Sequence, residues 1–219
     1  MGKKHQGFCT TFAIELEKFL YQARPRRLPN GNLYVNSFPQ YSEEEIVNEW
    51  VPGRMIRFDY LGPVQDFCRR LTHPEDVLIN LRSATLLETR LTDQSLIDLV
   101  EPFTFPGLCL LFPQLLTENG KGFVHDGQTL QRSVGYVVCP EVRIGYYQKA
   151  DITDGQGFKV SCPIKDREML SEIETGELEP GDYYKNCLCR FSLAGGFAGS
   201  DGQFDPPRCY LQLSHVISL

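Results

Sequence analysis

The second half of the chain is cut at short intervals by clusters of Gly, Pro, Asn and Asp, and this punctuation limits the fold more than any other feature. Between the cuts lie Val134 to Cys139, Val142 to Gln148, Phe158 to Cys162, Tyr183 to Leu193 and Cys209 to Ile217, all rich in β-branched, aromatic or other apolar residues. Such runs between turn formers suit strands, so an antiparallel sheet is expected from about Gly120 onward. One helix interrupts it, over Asp166 to Glu174.

A tripeptide recurs in this half: Asp126-Gly127-Gln128, Asp154-Gly155-Gln156 and Asp201-Gly202-Gln203. Asp-Gly supplies the backbone angles of a tight turn, so each copy is expected between strands. Their intervals of 28 and 47 residues make no fixed repeat. Asp151, Thr153 and Gly155 do not follow the alternating oxygen pattern of a calcium loop.

The first half carries a different period. Phe12, Leu16, Phe19, Leu20 and Ala23 fall at offsets of 4, 7, 8 and 11, one stripe of a helix that Pro25 must end. Asn30-Gly31 predicts a turn, with a short strand over Leu33, Tyr34 and Val35. Ser42 and Glu45 form a capping box for a helix reaching Trp50. Arg54 to Leu61 alternates as a strand, and Gly62-Pro63 opens a helix carrying Val64, Phe67, Cys68 and Leu71. Val77 to Leu81 and Leu86 to Leu91 predict two strands, and Asp93 caps a helix ended by Pro102. The Pro-interrupted apolar run Phe103 to Leu116 predicts buried loop and short elements. The expected class is therefore α+β: N-terminal helices packed on a mainly antiparallel, β-rich C-terminal half. A single compact domain over 1–219 is expected, with a subdivision near residue 118 as the alternative.

Charge narrows the function. With 22 Lys+Arg against 28 Asp+Glu, the net charge of -6 opposes nucleic-acid binding by bulk charge. A local basic strip remains: Arg24, Arg26 and Arg27 beside Tyr34, joined by Arg54 and Arg57. Charge interleaved with stacking rings suits RNA or single-stranded DNA. The longest apolar run is too short and too broken to span a bilayer, and no export leader is readable, which places the expected compartment in the cytoplasm.

Most of the eight cysteines are expected to be reduced and buried, and the close pair Cys187 and Cys189 to be core, since strand positions two apart share a face. No CxxC or HxxxH ligand spacing exists, so neither a metal nor another cofactor is expected. No nucleophile elbow, phosphate loop or metalloprotease motif is present, and no catalytic residue is nominated. His125 has a carboxylate neighbour in Asp126, but adjacent strand residues point apart; His215 is expected to be a hydrogen-bonded core residue.

The remaining chemistry lies in a loop. Gly195, Gly196, Phe197, Gly199 and Phe204 form a glycine-rich aromatic segment with neither lysine nor following helix to hold a phosphate. It is expected either to let the backbone approach a partner chain or ligand, or to serve as a flexible connection. Two functions follow: a non-enzymatic adaptor or structural subunit of a larger intracellular assembly with protein partners, or an RNA- or single-stranded-DNA-binding or processing subunit of a nucleoprotein complex; a third, a small-molecule enzyme in a β-rich cavity, has no residue to name.

Overall fold

A computed structural model describes residues 91–219 in full and, before them, the backbone of four strands within 12–16, 19–23, 54–63 and 77–90. The chain divides into two compact units, Met1–Arg69 with Glu75–Asp98 and Arg70–Pro74 with Leu99–Leu219.

In the first unit, β1 (Phe12–Leu16) and β2 (Phe19–Ala23) pair antiparallel from Phe12 opposite Ala23 to Leu16 opposite Phe19. The helix expected over this stretch is therefore a hairpin. Phe12, Ile14 and Leu16 also recur with period two, as do Phe19, Tyr21 and Ala23, so the segment satisfies both patterns and strand pairing decides between them. β3 (Arg54–Pro63) and β4 (Val77–Arg90) form a second antiparallel ribbon with three register shifts. The strand expected at Arg54 is present, and the two expected after Val77 are one continuous strand. The predicted turn at Asn30, strand at Leu33 and helices at 42–50 and 64–71 lie outside the described residues.

Helix α1 (Asp93–Val100) is capped by Thr92, whose hydroxyl accepts the Ser95 amide at 3.2 Å. The expected cap, Asp93, is instead the first helical residue, where its charge suits the N-terminus.

The second unit is mostly β. Its eight-stranded mixed sheet comprises β5 (Thr104–Phe105), β6 (Leu116–Glu118), β7 (Lys121–His125), β8 (Val134–Ile144), β9 (Lys149–Thr153), β10 (Lys159–Pro163), β11 (Tyr183–Leu193) and β12 (Arg208–Ser218). The order β10, β9, β8, β11, β12, β7 returns on itself through a short parallel contact of Ser161 with Lys121. Six strands thus make a closed ring. β6 extends β7, and β5 lies parallel to β8. Among the described residues no helix is long and apolar enough to cross a membrane.

The ring is filled by its own side chains, as small barrels are. Val137, Cys139, Val142, Ile144, Ala150, Ile152, Val160, Cys162, Cys187, Cys189, Phe191, Leu193, Leu211 and Leu213 form the buried cluster. Each aliphatic or Phe side chain so buried contributes roughly 1.5 to 3 kcal/mol. The inward residues of β8 jump from Cys139 to Val142, a spacing of three that breaks the two-residue alternation. Pro140 sits in the jump, and Asn186 on the facing strand adopts φ 50.

The three Asp-Gly-Gln copies all separate strands, yet only one is buried. Asp154 is 1% exposed; its Oδ1 accepts the amides of Gln156 and Phe158, each at 2.9 Å, and its Oδ2 accepts that of Leu108 at 2.8 Å. This carboxylate fixes the start of helix α2 (Leu108–Leu111), whose Leu108 and Leu111 enter the core. Gly155 is required there by space: a Cβ would lie 2.7 Å from the Pro106 carbonyl oxygen.

Helix α3 (Arg167–Thr175) starts as expected at Asp166, whose Oδ1 accepts the amides of Glu168 and Met169. Gly176 ends it at φ 78.

Candidate interaction surfaces at the two ends of the ring

The loop between β11 and β12 carries the predicted interaction residues, and backbone pairing shapes it. Phe197 and Arg208 exchange hydrogen bonds of 2.9 and 3.0 Å, and the Phe204 amide donates to Ala198 at 2.8 Å. The rings of Phe197 and Phe204 stand 6.2 Å apart at 56°. Gly195 and Gly196 lie between β11 and Phe197 and Gly199 between Phe197 and Phe204, and a Cβ on Gly196 would collide with the Asp126 carboxylate.

Arg208, at the start of β12, organises the cluster. Its guanidinium lies 4.0 Å from the Phe204 ring centre and 4.3 Å from that of Phe123, on β7. The fork of its NH groups meets both oxygens of Glu118, on β6. The Glu118 carboxyl is held below the usual carboxylate range, first by this hydrogen bond and then by the guanidinium charge. Arg208 is correspondingly raised, through hydrogen bonds to Glu118 and then Tyr210. The loop is thus anchored by cation–π stacking and a two-toothed ion pair. Phe197 remains 49% exposed beside it.

His125 ends β7 opposite Arg208 and packs edge-on against Phe123 at 5.5 Å. Its Nδ1 is shielded without a hydrogen-bond partner among the described residues.

The opposite end of the ring presents tyrosines. Between β8 and β9, the Gly145 amide donates to the Lys149 carbonyl at 2.8 Å, and Tyr147 and Gln148 take φ values of 60 and 55. Two successive left-handed residues turn the chain sharply, and each non-glycine there costs about 1–2 kcal/mol. The Ile164 amide holds the turn by donating to the Gln148 carbonyl at 2.9 Å. Tyr146 is 73% and Tyr147 90% exposed, and Tyr183, opposite Arg143 on β8, is also exposed.

Of the described cysteines, Cys139, Cys162, Cys187, Cys189 and Cys209 are buried, as expected of most of them, whereas Cys109 is exposed; Cys9 and Cys68 lie outside the described residues. Burial pushes the Cys187 thiol up to about 11 and raises Cys162 and Cys189 as well. His215 also holds a hydrogen-bonded, largely buried position, with Nδ1 2.9 Å from Asp166 Oδ2. Among the described residues no group of three or more His, Cys, Asp or Glu could hold a metal ion.

Of the predicted nucleic-acid residues, Arg24, Arg26, Arg27 and Tyr34 lie outside the described residues. Arg54 and Arg57 lie on β3, opposite Arg90 and Thr85. The sequence reading found Phe197 and Phe204 but missed Glu118, Phe123 and Arg208, which only strand pairing brings together. No protein-family model, curated protein or solved structure matches the chain.

Proposed function

We propose that this chain is a non-enzymatic structural or adaptor subunit that docks neighbouring protein chains through aromatic loops at the two ends of its ring. The observation that carries this reading is Tyr147, 90% exposed on a left-handed backbone at φ 60. The turn itself needs left-handed angles, but glycine or asparagine adopts them at less cost and an outward ring adds nothing to the core; strain of this kind clusters at binding sites. Tyrosine brings a large, rigid contact area with little conformational entropy to lose, and is enriched at interfaces. Half-exposed Phe197, paired through its backbone with Arg208, supplies the corresponding feature at the other end.

Native purification of the full chain, followed by mass spectrometry, tests this. A companion protein at fixed stoichiometry is expected, lost from a Tyr146→Ser/Tyr147→Ser or a Phe197→Ser variant whose circular dichroism is unchanged, and retained after nuclease treatment. Loss of the companion on nuclease digestion, or its retention by both variants, defeats the proposal.

A further inference from the structure

Asn119 and Gly120 make the two-residue turn between β6 and β7, at φ 51 and 75, the paired positive angles of a type I′ hairpin. Both residues are exposed, and a Cβ built on Gly120 would meet nothing within 4 Å. The Gly120 carbonyl accepts the Ser161 amide at 2.7 Å, but among the described residues no hydrogen bond engages the Gly120 amide itself. The nitrogen that follows the Asn119 side chain is therefore free, with no side chain of its own residue to shield it. Asn186, the other asparagine of residues 91–219, has the same left-handed backbone at φ 50, yet it precedes the buried strand residue Cys187.

The turn also sits between two long-range contacts. Glu118, just before it, gives both carboxylate oxygens to Arg208 and stands opposite Lys121. Gly120 and Lys121, at its far side, meet Ser161 in the contact by which β7 and β10 close the ring.

We infer that Asn119-Gly120 is a site of spontaneous deamidation whose isoaspartyl product loosens the seam between β7 and β10. The Gly120 amide nitrogen gives its proton to base and attacks the side-chain carbonyl carbon of Asn119, while the side-chain nitrogen takes up a proton and leaves as ammonia. A cyclic imide results, and water opens it at one carbonyl or the other to aspartate or isoaspartate. The only co-reactant is water. In isoaspartate the main chain runs through the former side chain and is one methylene longer, an insertion that a two-residue turn cannot absorb with Glu118 still opposite Lys121. The Gly120 carbonyl is thereby drawn away from Ser161. The reaction needs no partner and is independent of docking at either end of the ring.

Ageing of the full chain at mildly alkaline pH, followed by peptide mass spectrometry, tests this. The mass change of amide to acid is expected at Asn119 and not at Asn186, and its rate should rise with pH. Isomerisation at the three Asp-Gly pairs leaves mass unchanged and cannot be mistaken for it. Asn119→Gly, which keeps the positive angles of the turn, should age without the change. The isoaspartyl fraction, separated by chromatography, should exchange its Ser161 amide several-fold faster than fresh chain, while Cys187 to Phe191 stay protected. Three results each overturn the inference: an Asn119 that stays intact in the folded chain over the time in which urea-unfolded chain converts, equal conversion of Asn186 in the folded chain, or unchanged Ser161 exchange in the isoaspartyl fraction.

Discussion

Asp166 Oδ2 lies 2.9 Å from His215 Nδ1 and 3.1 Å from the Val216 amide, while Asp166 Oδ1 caps α3, so one carboxylate joins a helix start to the last strand of the ring. Removing it leaves several shielded donors without acceptors at once. Asp166→Ala is therefore expected to cost about 2–4 kcal/mol, the loss of a cap together with unsatisfied buried groups. Urea denaturation followed by circular dichroism measures this, and Asp166→Asn, which keeps one acceptor oxygen, should lose less.

Tyr147 should trade stability against recognition. Tyr147→Gly removes the left-handed penalty and is expected to raise stability by up to about 1 kcal/mol, less what glycine loses in the unfolded chain. The same variant should bind its companion more weakly in a quantitative pull-down. A variant both less stable and equally well bound would contradict the role assigned to this turn.

Two glycines separate space from backbone angle. At Gly155 an added methyl meets the Pro106 carbonyl at 2.7 Å, so Gly155→Ala should cost about 1–3 kcal/mol, as overpacking does. At Gly127 the space is open but φ is +84, and Gly127→Ala should cost about 1–2 kcal/mol through backbone strain alone. Gly155→Ala should also disturb Leu108 amide exchange, which Gly127→Ala should not.

The buried thiols set an alkaline limit. A thiol raised by folding contributes stability that is complete below its ordinary value and is lost as pH rises through its folded one. For Cys187 that window runs from about 9 to about 11, with Cys162, Cys189 and Tyr184 raised in the same direction, all chiefly by burial. Tm is expected to fall across this window, and Cys187→Ala should flatten the fall. At pH 8 iodoacetamide should modify Cys109 before any of the five buried cysteines, as peptide mass spectrometry would reveal.

Arg208 should govern the glycine-rich loop rather than the ring. Arg208→Gln removes both aromatic stacks and the pairing with Glu118, so amide exchange at Phe197 and Phe204 should accelerate several-fold while Cys187 to Phe191 stay protected.

Local signals were legible where one segment decides its own structure. Tyr183–Leu193 forms a strand with the expected bounds, and α3 begins at the expected Asp166. β8 was read as two strands because Pro140 resembles a breaker; it falls instead where the inward face switches. β9 was missed because Lys149-Ala150-Asp151-Ile152 hides two inward apolar residues among charges. Long-range relationships left no trace in the sequence: Arg208 meets Glu118 across 90 residues, and Arg190 looks like any polar residue of a half-exposed strand until both faces of β11 prove buried.

Ring closure by β7 and β10 has a consequence for assembly. Among the described residues the strand order ends in the three-residue β6, with the two-residue β5 beside β8, and each of these edges is too short to template a strand from another molecule. Lateral growth by β-addition at β5 or β6 is thereby disfavoured, and Tyr147 and Phe197 sit instead at the two ends of the ring.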